Sequence, residues 1–281
     1  MLPGIAKLIP KRVLFNPLFF LRTRINALKK INEIRNAKEI DNSISQPKIY
    51  KTSYNVIHWN LSEAETGILI KKAREEKTGV HSVVYIAMLE AFAKILGKNE
   101  VPLFVKTPID IKNKLSSRLK DDSLGTTFAV PKTLAYNYKI RKNFWQMAKE
   151  IKEELSKQID TTKFYFDMVL LELLKPVASS LVDFLFPVNK ERVSHLTLSN
   201  MGNLDIPVRF GDLKLNFFQV SAPVVGNEHM LLFMSVGGKI YFALVTSLFK
   251  FDQEKSMQLK EQFMKSIGQA LGFNELNSVS N

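Results

Sequence analysis

The chain has 281 residues, 46% of them hydrophobic and 24% charged, with no cysteine. That composition allows a full buried core and excludes a disordered chain, a disulfide framework, a thiolate metal site and a cysteine nucleophile. The formal net charge is +13; the first 40 residues hold nine cations against two acids, a local excess of +7, which favours an anionic surface such as phospholipid, nucleic acid or an acidic partner.

Residues 1–37 read as a basic amphipathic segment. Pro3, Pro10 and Pro17 interrupt it, so no apolar run reaches bilayer-spanning length, and the early charges Lys7, Lys11 and Arg12 argue against a signal peptide. Leu18, Leu21, Ile25, Leu28 and Ile31 then recur at spacings of three and four. Two roles fit such a helix: binding to an anionic membrane surface, or docking on the protein's own body. Phe15, Phe19 and Phe20 sit at apolar helix positions and do not suggest stacking platforms, which argues against nucleic acid. Residues 38–55 are polar and lack periodicity, and are expected to be a linker.

A short strand is expected over 56–62. It runs into Ser62-Glu63-Ala64-Glu65, a capping box that starts a helix ending at Thr78-Gly79. A second helix, Ser82 to Leu96, is apolar nearly all round and should be buried. Val101–Ile111 reads as a strand disturbed by Pro108, Leu124–Val130 as another, and Phe144–Ile159 as an amphipathic helix. Tyr165–Phe186 is an apolar helical region broken at Pro176.

Along Val193–Ser199, Val193, His195, Thr197 and Ser199 alternate with Leu196 and Leu198, the pattern of a strand with one polar face. Ser199-Asn200-Met201-Gly202 is expected to turn the chain back. Phe210–Val220 reads as a further strand. Met230–Val236 and Lys239–Thr246 flank Gly237-Gly238 as a hairpin, and Gln253–Leu271 closes the chain as a helix before a tail at 274–281. The lobe proper should span 56–273. Mixed elements without strict alternation, plus a hairpin, predict an α+β fold.

Glycine-rich phosphate loops and a G-x-S-x-G elbow are absent, and the four histidines show no metal-ligand spacing, so no bound cofactor or metal is expected. Of the polar residues, His195, Thr197, Ser199 and Asn200 have the chemistry to accept a proton and steady an oxyanion. The same residues would serve equally as strand-face and turn hydrogen-bonders.

The order of Asn60-Leu61-Ser62, the buried alanine-rich helix, Val105–Lys112 (V-K-T-P-I-D-I-K), Leu196–Gly202 (L-T-L-S-N-M-G) and a closing hairpin plus helix resembles one superfamily. It is that of chloramphenicol acetyltransferase, the alcohol acyltransferases and the condensation domains of peptide synthetases. The resemblance runs from about Val56 to Leu271 and corresponds to the second of two lobes that enclose a tunnel. It implies a mixed sheet flanked by helices, and transfer of an acyl group from a coenzyme A or carrier-protein thioester to a hydroxyl or amine. Ser199 and Asn200 match the family's Ser-Asn-x-Gly, with Ser199 steadying the tetrahedral intermediate and Thr197 and Gly202 lining the substrate side.

The family's base is the histidine of H-x-x-x-D. These 281 residues contain no such motif. At the corresponding place they read Leu248-Phe249-Lys250-Phe251-Asp252, with Asp252 as the retained structural acid. His195 shares the face of Ser199, although the family pattern has no base there. Asp110 and Lys112 match a P-x-D-x-R stretch that helps hold the lobes, with lysine replacing arginine. The resemblance therefore implies a chain that needs a partner lobe or a second copy to supply the base. The other outcome is an inactive relative serving as a protein- or membrane-surface interaction module. A cysteine-free chain of this kind is expected in the cytoplasm, with peripheral membrane attachment through residues 1–37 as the variant.

Overall fold

A computed structural model describes residues 53–97, 102–110, 128–129, 134–137, 143–159, 195–222, 229–248, 251–273 and 279–280. Residues 1–52, Lys112 and the proline-broken region 165–186 lie outside that set, and with them the expected basic helix and most of the linker. The chain divides into two compact units, residues 1–48, 108–132 and 157–193 in one and 49–107, 133–156 and 194–281 in the other, so neither is a continuous stretch of sequence.

The second unit is built on a seven-stranded mixed sheet. In chain order its strands are β1 (Tyr54–Asn60), β2 (Pro102–Lys106), β5 (Leu134–Asn137), β6 (His195–Asn203), β9 (His229–Val236), β10 (Lys239–Ser247) and β11 (Val279–Ser280). Their order across the sheet is β11-β1-β10-β9-β6-β2-β5. β2, β6 and β9 run parallel at the centre, and the remaining pairs are antiparallel. This is the expected α+β architecture. Gly237 and Gly238, at φ 55° and 80°, form the β9–β10 turn, where both central residues need positive φ.

Among the described residues four helices accompany this sheet: α1 (Glu63–Glu75), α2 (Val80–Leu96), α3 (Phe144–Ile159) and α4 (Gln253–Leu271). Ser62 starts α1 through a complete capping box: its hydroxyl accepts from the Glu65 amide at 3.2 Å and the Glu65 carboxylate accepts from the Ser62 amide at 2.8 Å. Asn143 starts α3 by accepting from the Trp145 amide at 2.9 Å. Asp252 does the same for α4 at Lys255, 2.8 Å. The nearly all-apolar α2 is buried along most of its length and packs on α4, where the Ser266 hydroxyl donates to the Glu90 carboxylate.

The pleat sorts the sheet's side chains into two cores. One face sends Trp59, Val105, Leu196, Leu198, Leu231, Phe233, Phe242 and Leu244 into the main core beneath the helices. There Trp59 stacks on Phe242 at 5.2 Å and meets Phe263 of α4 edge-on at 5.8 Å, locking sheet to helix. The other face carries Leu232, Met234, Val236, Tyr241 and Ala243, covered by Leu204, Ile206, Val208, Phe217, Phe218 and Val220. The surface helices α1 and α3 meet through Glu76, which bonds Lys149 and Lys72, each at 3.1 Å. The Lys149 hydrogen bond, followed by that of Lys72, holds the Glu76 carboxyl below its ordinary range.

Two sequence expectations change in detail. The strand expected at Phe210–Val220 shrinks to a two-stranded ribbon, β7 (Arg209–Phe210) and β8 (Leu213–Lys214), because Gly211 at φ 61° turns the chain at once. Residues 215–222 instead lie over the second core. The strand read over Val101–Ile111 is two: after Thr107-Pro108, β3 (Ile109–Asp110) pairs with β4 (Phe128–Ala129) in a sheet of its own in the first unit.

Candidate functional site

β6 is the middle strand of the parallel trio, which fixes where each of its side chains points. Leu196 and Leu198 are fully buried under the helices. Thr197 stands opposite Met230 and Ser199 opposite Leu232, so both belong to the second face. Thr197 is only 6% exposed there, while Ser199 is half-buried and reachable. His195 opens β6 opposite Phe104.

Asn200 stands opposite Phe233, a residue of the main core, and so projects to the helix side of the sheet. The pleat therefore puts Ser199 and Asn200 on two different faces of the sheet. Nor does the chain reverse at Ser199–Gly202. β6 continues to Asn203, and between Asn200 (opposite Phe233) and Asn203 (opposite Ser235) it carries a β-bulge. Asn200 closes the bulge by accepting the Gly202 amide at 2.8 Å, and Gly202 takes φ 77°. In this arrangement the Asn200 carbonyl organises backbone, and Ser199 presents a hydroxyl on the opposite side.

The remaining expected positions lie elsewhere. Leu248 closes β10, exposed, its amide bonded to the Ser53 carbonyl at 3.1 Å; Asp252 is the cap of α4. Asp110 sits exposed on β3 in the other unit. Among the described residues no group of three or more histidine and carboxylate side chains could hold a metal ion.

Two histidines outside the expected set stand out. His58 ends the cross-sheet row Ser199, Leu232, Ala243, His58, three strand spacings or roughly 14 Å from Ser199. Its Nε2 is covered, without a hydrogen-bond partner among the described residues, and burial lowers its pKa. The strand alternation around Trp59 was the available signal, but β1's place beside β10 could not be read from it. His81, in the first turn of α2, stacks on Phe233 at 5.9 Å, with Nε2 likewise covered and unpartnered. Burial pushes its pKa down to about 4, so its ring is neutral near pH 7.

Residues 51–227 match the family model described as the phthiocerol/phthiodiolone dimycocerosyl transferase C-terminus. The chain belongs to this family. The dimycocerosyl-transferase C-terminal segment accounts for β1 through the ribbon, and the hairpin β9–β10 and α4 follow it. In fold the chain is similar to the trichothecene 15-O-acetyltransferase of Fusarium sporotrichioides, at 8% identity and TM-score 0.70, covering 96% of this chain and 56% of that one. It is also similar to the first condensation domain of the CDA synthetase, at 14% identity and TM-score 0.59, covering 92% and 54%. The epimerization domain from the third module of tyrocidine synthetase B gives 13% identity and TM-score 0.58, covering 88% and 56%. The architecture is thus that of the chloramphenicol acetyltransferase-like superfamily, condensation branch. This dimycocerosyl-transferase family member spans about half the length of those three solved structures. No curated protein matches it in sequence.

Proposed function

We propose that this chain is the substrate-binding lobe of an acyltransferase, holding an acyl thioester while a separate lobe supplies the catalytic base. The carrying observation is that the chain belongs to a family defined on a transferase C-terminus; the superfamily resemblance puts the H-x-x-x-D place at Leu248–Asp252, where the chain has Leu248. Leucine cannot accept a proton, so deprotonation of a hydroxyl or amine acceptor falls to another group. This lobe's part is to orient the thioester and to offer the Ser199 hydroxyl to the oxyanion that forms when the acceptor attacks. The Asn200–Gly202 turn keeps that strand end in shape. The donor is coenzyme A or a carrier thioester, and the base-bearing lobe comes from a partner or another segment.

Calorimetric titration of the purified chain with acetyl- and octanoyl-coenzyme A, beside a thiol-release assay, tests this. Binding without turnover is expected, with Ser199→Ala changing turnover only once a base-bearing lobe is added. Failure to bind either thioester rejects the reading, and turnover by the chain alone rejects the need for a second lobe. An H-x-x-x-D-G coding segment beside this one would identify the partner.

A further inference from the structure

The bulge in β6 has a second effect, on the one residue of Ser-Asn-Met-Gly without a polar or conformational task. Asn200 faces Phe233 and Asn203 faces Ser235, so Met201 and Gly202 together oppose Met234. Met201 lies two residues beyond Ser199 on β6, so strand alternation places it on the same side of the sheet as Ser199. Met201 is 44% exposed. The Asn200–Gly202 hydrogen bond and the φ of Gly202 hold the methionine at the carboxyl end of a parallel strand, next to the Ser199 hydroxyl.

A lone exposed apolar side chain needs no explanation in general. This one sits in the register shift between Asn200 and Asn203, and such irregularities are over-represented next to active sites. A thioether on three rotatable bonds adapts to an irregular apolar ligand better than a branched side chain does. The geometry points to Met201 as a specificity-determining residue: it contacts the apolar acyl chain of the thioester whose carbonyl Ser199 faces. The inference rests on the proposed acyl-thioester-binding role of this strand and adds the chain-length preference to it.

The experiment titrates the full chain and its Met201→Ser and Met201→Leu variants with coenzyme A, acetyl-, octanoyl- and palmitoyl-coenzyme A. In the wild type the octanoyl thioester binds about tenfold or more tighter than the acetyl one. Met201→Ser removes most of that ratio and leaves the affinity for free coenzyme A unchanged; Met201→Leu keeps the ratio. The inference is overturned if the wild type shows no length preference, or if Met201→Ser leaves the ratio as it was. If the wild type binds no acyl thioester, the proposed function itself fails and takes the inference with it, which is a distinct result. Met201 is 44% exposed, so the variants should fold, and circular dichroism checks that they do.

Discussion

Acidification should destabilise this chain through His81. The imidazole is pushed down to about 4 in the folded state against 6.5 for a free side chain, because its Nε2 is shut off from water beside Phe233. The unfolded chain therefore takes up the proton first. The stability that the neutral ring confers is complete above about pH 6.5 and is lost as the pH falls towards 4. Integrated over that linkage, the loss between about pH 7.5 and about pH 5 is about 2 kcal/mol, an upper value because part of the residue remains open to solvent. Replacing His81 by Phe keeps an aromatic ring against Phe233 and removes the titration. Urea unfolding of both proteins at the two pH values should show the wild type losing about 2 kcal/mol more than His81→Phe. The burial-lowered His58 is common to both and cancels. Equal losses in the two proteins, or a His81 pKa near 6.5 by NMR titration, would refute the reasoning.

Three further outcomes are expected. Asp252→Ala and Ser62→Ala each remove a helix cap and should cost about 1 kcal/mol in denaturant unfolding, adding in the double variant, whereas Asp252→Asn should be nearly neutral. Gly237→Ala should cost about 1–2 kcal/mol, since its Cβ would lie 2.7 Å from Val208 Cγ1 at φ 55°, and Val208→Ala should recover only the steric share. Deleting residues 1–37 should abolish sedimentation with anionic vesicles, as their basic amphipathic pattern implies; unchanged sedimentation would exclude that role.

Much of the fold is local in origin and so could be read along the chain. The Ser62 box, the Gly237-Gly238 turn and the 3.6-residue periods of α3 and α4 are set by neighbours within four residues, and those elements lie where the sequence places them. The single strand expected over Phe210–Val220 breaks into the ribbon because Gly211, inside it, turns the chain through a single backbone angle.

The site divides in the same way. Sequence alone determined the strand, its alternation and the Ser-Asn-x-Gly residues. Only the tertiary structure decided which neighbours those residues face. Consecutive side chains of a strand point to opposite faces, but which core each face meets depends on the pairing with β9, about 30 residues further on. That pairing turns Ser199 to the second core and Asn200 to the helix side. It also sets the register shift between Asn200 and Asn203, which no period along β6 announces.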